Sequence, residues 1–189
     1  EDDGGGIYNN HGSVALVGSH VFANIGSVAG GIVNIGGRVE LSNTTVSGNR
    51  SPSSGSVART DGTGGIFNSA GGALMLASSS VFGNTGLDTG GIHSSGVLTI
   101  TGSTLSGNTG GNYGGGLTSF GQLRMVNSTI SGNQTDADGG GLHNRGTASL
   151  LNVTIADNVA DFDANGVGAG GGIAGIGATT GLTNTVIDA

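Results

Sequence analysis

Residues 90–108 read Gly90-Gly-Ile-His-Ser-Ser-Gly-Val-Leu-Thr-Ile-Thr-Gly-Ser-Thr-Leu-Ser-Gly-Asn108. Inside this stretch Leu98 and Ile100 alternate with Val97, Thr99 and Thr101, the pattern of a strand with one buried face. Two markers bracket it, a Gly-Gly-aliphatic element at the start and an aliphatic-x-x-Asn element at the end. The first recurs with its aliphatic residue at Ile7, Ile32, Ile66, Ile92, Leu117, Leu142 and Ile173, in steps of 25, 34, 26, 25, 25 and 31 residues. The second ends at Asn24, Asn49, Asn84, Asn108, Asn133 and Asn158. Two markers advancing together at a fixed period are the signature of a repeat architecture, and nothing in the chain carries a helical period.

Each repeat divides into three short strands, at Gly-Gly-Ile, at Leu-x-Ile/Met and at Ser-Thr-Ile-Ser-Gly, with glycine or asparagine supplying positive-φ corners. A coil of this length lets every strand pair with its equivalent one coil along, about 4.8 Å away. The expectation is therefore an all-β chain, a right-handed parallel β-helix (β-solenoid) of about seven coils, roughly 25 residues each, forming one domain over residues 1–189. Ile7, Ile32, Ile66, Ile92, Leu117, Leu142 and Ile173 are expected to form one inward column, and Val46, Val81, Leu105, Ile130 and Ile155 another. The two long steps are read as loop insertions at 50–63 and 159–169, both leaving the corner that follows the asparagine marker.

Composition agrees with a solenoid and excludes other classes. There are 43 glycines, one proline, no cysteine and no tryptophan, and charged residues make up 9% of the chain. The glycines lack a three-residue period, which excludes collagen. Net charge is −7, and the only fixed cations are Arg38, Arg50, Arg59, Arg124 and Arg145, so no basic stripe exists to neutralise nucleic-acid phosphates. No apolar run reaches the length of a transmembrane helix. Glu1 stands where an initiator methionine would, so the N-terminus is expected to be processed or cut from a longer chain.

The anchors Gly139-Gly-Gly-Leu-His-Asn144 and Asn152-Val-Thr-Ile-Ala-Asp-Asn158 resemble the Gly-Gly-Ala-Ile / Phe-x-x-Asn repeat of polymorphic outer membrane proteins and related bacterial right-handed β-helix proteins of the autotransporter passenger type. The pattern covers essentially the whole chain. It departs in one column, where Val21, Val46, Val81, Leu105, Ile130 and Ile155 replace that family's phenylalanine. The resemblance implies an extracellular or cell-surface location and roles in display or adhesion, although a fold does not fix a function.

The asparagine markers are expected to be structural, stacking at one corner and bonding to each other and to turn backbone. A second set, Asn9, Asn34, Asn68 and Asn144 with Ser94 and Ser119, reads as corner chemistry too. Acidic residues gather before the Gly-Gly marker (Asp2, Asp3, Asp61, Asp88, Asp136 and Asp138) and in the last insertion, and Asp136, Asp138, Asp161 and Asp163 are weak candidates for Ca²⁺, which accepts several oxygens in flexible geometry. No other cofactor is expected. His11, His20, His93 and His143 repeat no metal spacing, and the last two are expected to be exposed. Thr45, Thr104, Thr129 and Thr154 with Ser47, Ser106 and Ser131 form an outward hydroxyl array like the face of ice-binding solenoids, interrupted by His20, Phe22 and Phe82. Four Asn-x-Ser/Thr triplets begin at Asn43, Asn127, Asn133 and Asn152.

These residues point to a non-enzymatic extracellular structural or adhesive solenoid. A polysaccharide-binding or polysaccharide-cleaving protein and an ice-binding protein are the alternatives, and surface glycans are candidate partners. The end segments Gly4, Gly5, Gly6, Ile7 and Val186, Ile187 open directly on the repeat, so copies are expected to stack end to end, or covalent neighbouring coils to continue the ladder. Seven coils give a subunit rise of about 34 Å.

Overall fold

The computed structural model describes residues 4–52 and 62–188. The chain is a parallel β-solenoid of seven coils. The coil that begins at Gly90 contains the strands Ile92–Ser94, Val97–Thr101, Thr104–Ser106 and Thr109–Gly110. Counterparts of the first three recur in every coil and build three seven-stranded parallel sheets, here termed the Gly-Gly sheet, the middle sheet and the asparagine-side sheet. Three strands per coil were expected. A fourth, four-stranded sheet also exists, made of two-residue strands such as Arg50–Ser51 and Thr85–Gly86 just past the asparagine marker. Its ladder is continued through the corner by backbone bonds, for example Thr109 N–H to Asn84 O at 2.9 Å.

Alternation sends one face of each strand inward. Ile92, Leu98, Ile100 and Leu105 are fully buried, and their equivalents stack directly above and below them in a single aliphatic core. Both expected inward columns lie in this core, with Ile7 and Ile173 partly buried at its ends. No helix of the described residues is long and apolar enough to cross a membrane.

The positive-φ corners fall one residue before the asparagine markers, at Gly48, Gly83, Gly107 and Gly132, and at the turn into the asparagine-side sheet, at Asn43, Gly102, Asn127 and Asn152. Residues 53–61 of the expected first insertion lie outside the described residues. Thr63 rejoins the body between Ala29 and Thr89.

Candidate functional site

Gly-Gly and asparagine advance together because they touch. A Cβ on Gly91 would lie 3.1 Å from Asn108 Nδ2, one on Gly116 2.9 Å from Asn133 Nδ2, and one on Gly141 3.0 Å from the Asn158 side chain. The next coil's backbone is closer still, Gly116 O lying 2.3 Å from a Cβ on Gly91, so only glycine admits both that carbonyl and the carboxamide. The asparagines then form a ladder with one rule. Oδ1 of Asn133 accepts from both the backbone N–H (3.0 Å) and Nδ2 (2.9 Å) of Asn108, while Asn108 Nδ2 also donates to Val81 O at 3.0 Å. The same pattern runs from Asn24 and Asn49 through Asn84 to Asn158. Asn49, Asn84, Asn108, Asn133 and Asn158 are buried.

Replacing Asn108 by Leu leaves Val81 O without its carboxamide donor and the backbone N–H and Nδ2 of Asn84 without their shared acceptor in a buried corner. A loss of about 1–3 kcal/mol in chemical denaturation is expected, because an unsatisfied buried group carries its desolvation cost. An unchanged midpoint would contradict the frame role.

Two further polar columns brace the other corners. Asn9 donates to Asn34 Oδ1 (2.7 Å), Asn34 to Asn68 Oδ1 (2.8 Å) and Asn68 to Ser94 Oγ (3.0 Å). That ladder stops at Ser119, whose buried Oγ has no partner among the described residues. The sequence reading missed the other column, formed by Thr44, Ser79, Ser103 and Ser128. Each hydroxyl donates to the carbonyl two residues earlier and accepts the N–H of the preceding coil, as Ser103 does from Ser79 at 3.0 Å. Its signal was a Ser or Thr five residues before every asparagine marker except Asn158, where Val153 stands, hidden because hydroxyls are common on strands generally.

His93 and His143 are not exposed, contrary to expectation. They are 1% and 3% accessible. Both project from the outside of the Gly-Gly sheet, in register with Phe67 and Thr118, but loops leaving the asparagine corner fold back over this face. Tyr113 packs edge-on against His143 (5.4 Å between centroids) and Phe120 (6.0 Å). His93 lies stacked between Phe67 (5.3 Å) and Phe120 (5.2 Å), and Arg145 sits over the Phe120 ring at 5.5 Å. The loop backbone comes so close that a Cβ on Gly139 would be 2.8 Å from His143 Cα. Burial pushes the His93 imidazole down to about 4, against the pull of Asp88 and with a smaller push from His143. Burial and then Arg145 lower His143, against Asp138. The alternation rule failed here because it treats an outward side chain as solvated, whereas a returning loop supplies a second buried layer.

Three of the calcium candidates accept hydrogen bonds from the 159–169 segment. Asp138 accepts from Ala169 N–H at 2.8 Å, Asp161 from Gly166 N–H, and Asp163 from Asn165. Asp136 has its carboxyl raised by partial burial and by neighbouring Asp163. Among the described residues no group of three or more His, Asp or Glu side chains is arranged to hold a metal. Asp2, Asp3 and Asp61 lie outside the described residues. Asp88 is buried, accepting Gly62 N–H (3.1 Å) and Asn112 Nδ2 (2.7 Å).

On the asparagine-side sheet the hydroxyl columns pair in register, Thr104 with Thr129 and Ser106 with Ser131. Phe82, 45% exposed, rises from the same column and breaks the flatness of the array. Of the four Asn-x-Ser/Thr triplets, Asn43, Asn127 and Asn152 are exposed while Asn133 is buried in the ladder. A cleft of about 250 Å³ lies outside the fourth sheet, bordered by Arg50, Thr85, Thr109 and Asp136. Gly5 and Gly6 bond through their N–H groups to the next coil, and Ile7 is half-buried. At the other end Val186 and Ile187 are exposed.

No protein-family model matches the chain, and no curated protein or solved structure matches it significantly.

Proposed function

We propose that this chain is a non-enzymatic structural or adhesive solenoid of the extracellular space or cell surface. The observation that carries the reading is the use made of the repeated polar side chains. The corner asparagines and the hydroxyls of Thr44, Ser79, Ser103 and Ser128 are engaged in hydrogen bonds inside the frame, and the outer face of the asparagine-side sheet carries mostly small hydroxyl residues. Such a body is a stiff spacer that presents surfaces and corner loops. The resemblance of its two markers to surface-displayed β-helix repeats supports the compartment.

The end faces favour continuation of the ladder. Leu182 and Ile187 extend inward columns yet are 46% and 44% exposed. A further coil, from a second copy or from the same polypeptide, would bury them, at about 25 cal/mol per Å² of apolar surface covered. Concentration-dependent rods in electron micrographs are expected if copies stack, and dispersed particles at every concentration would remove self-stacking.

The cleft beside Arg50 and Asp136 favours glycan binding as the second reading, since it sets a cation and a carboxylate beside threonine hydroxyls. A glycan array and a turnover assay on acidic polysaccharides separate the two. Binding without turnover is the expected result. Turnover abolished by one carboxylate substitution that leaves stability intact would overturn the non-enzymatic reading.

A further inference from the structure

The ionisable side chains buried among the described residues are Asp88, His93 and His143, and all three belong to the layer outside the Gly-Gly sheet. The inner core is wholly aliphatic apart from Met125. Protons therefore act on one layer of this molecule and not on the other. The imidazoles are ill equipped to become cations where they stand. Both ring nitrogens of His143 and Nδ1 of His93 are buried with no hydrogen-bond partner, and His93 Nε2 has only Ser95 Oγ at 3.3 Å. Each protonation would add a donor and a charge between aromatic faces that offer no acceptor.

The geometry points to an acid-operated release in this layer: on protonation of His93 and His143 the covering loops, at Leu87–Thr89, Asn112–Gly114 and Asp138–Gly139, detach while the aliphatic ladder beneath stays closed. The loops are tied to one another by a few backbone bonds, Tyr113 N–H to Asp88 O at 2.8 Å and Asn112 N–H to Leu87 O at 3.1 Å, and join the Gly-Gly ladder at their ends through Thr89 O and Gly139 O; the rest of their hold on this face is side-chain contact. Thr89 and Thr118 hydroxyls meet at 2.8 Å, Gly114 N–H donates to Thr118 Oγ1 at 3.0 Å, and Tyr113 lies on His143 and Phe120. The charged groups on this face are few. Asp88 on the first loop favours a His93 cation, but its two oxygens already accept from Gly62 and Asn112. Asp138 on the third loop favours a His143 cation, and its Oδ1 already accepts from Ala169. Asp136 begins the same loop. Arg145, beyond the Gly-Gly strand, opposes His143, and the two imidazoles oppose each other. The second loop brings only the neutral Tyr113.

The sign follows from linkage. A folded-state pKa below the ordinary 6.5 means that the opened form binds the proton more tightly, so closure weakens as pH falls from about 6.5 towards 4 and is complete above that range. For His93 alone the opening equilibrium grows about tenfold per pH unit across this window.

Hydrogen exchange of the intact chain, corrected for intrinsic rates, tests the device between pH 7 and 4.5. Expected are amides of the three loops whose opening is flat above about pH 6.5 and rises several-fold or more per pH unit below it, with inner-ladder amides at Leu98–Ile100 unchanged, and loss of that response in His93→Phe/His143→Phe, where rings of similar shape cannot protonate. Loop opening that is flat with pH in the parent, or equally steep in the double variant, would overturn the proposal. The histidine ring resonances of the unaltered chain give a readout that does not depend on the variant folding. Two resonances titrating below 6.5, together with the loop signal, support the release, and the absence of any resonance titrating below it refutes the release.

Discussion

Ile130→Asp is expected to abolish cooperative folding of the chain. Ile130 is fully buried, stacked in register on Leu105 and Ile155, in a core cluster that contains no polar partner for a carboxylate. Removing the side chain alone would cost about 2–5 kcal/mol. Introducing an unpaired carboxylate adds a desolvation cost of several kcal/mol or forces its protonation. The total competes with the whole stability of a domain, about 5–15 kcal/mol. In a solenoid each coil contacts only its neighbours, so a coil that cannot close divides the ladder into two short pieces with new exposed ends. Thermal unfolding followed by circular dichroism should show no single sharp transition. A variant that melts like the parent would mean that Ile130 does not face inward.

Gly115→Ala is the second large effect, from the smallest possible change. A methyl there would sit 2.4 Å from Gln134 O, across the corner of the same coil, and 2.5 Å from Gly140 O of the next coil, both backbone atoms. Gly140 O cannot yield without breaking a ladder bond, since Gly116 N–H donates to it at 3.0 Å, and Gly115 N–H is itself held by Gly139 O. Overpacking of this kind typically costs about 1–3 kcal/mol, and more where backbone must move, so about 3 kcal/mol or more is expected. Gly107 is the control. It has φ +59 and nothing within 4 Å of an added Cβ, so Gly107→Asn introduces no clash, asparagine tolerates the left-handed region, and less than about 1 kcal/mol should be lost. Equal losses at the two sites in denaturant titrations would show that glycine serves the corner conformation and not the close approach.

These contrasts indicate what a single sequence could tell. The two markers were legible because they form one contact, Gly116 against Asn133 being typical, and a contact repeated every coil writes itself into the spacing. The inward columns followed from alternation at Leu98, Ile100 and Leu105. The fourth sheet was not legible, because a two-residue strand such as Thr109–Gly110 has no alternation to detect. The aromatic and imidazole layer was hidden for a different reason. Phe120 reaches His93 from the residue just past its own Gly-Gly strand, outside the strand register, and Tyr113 lies at an unrelated offset from His143 along the chain, so only the return of the loop brings those two together.

The central claim is that the asparagine column is a buried frame and not a site open to ligand. The side-chain amide protons of Asn84, Asn108 and Asn133 report on it directly in a nuclear magnetic resonance exchange experiment. The account predicts Nδ2 protons that exchange as slowly as the neighbouring ladder N–H groups, with cross-peaks linking the carboxamides of Asn108 and Asn133, 25 residues apart. Carboxamide protons that exchange at the rate of exposed asparagine, with no contact between successive coils, would contradict it.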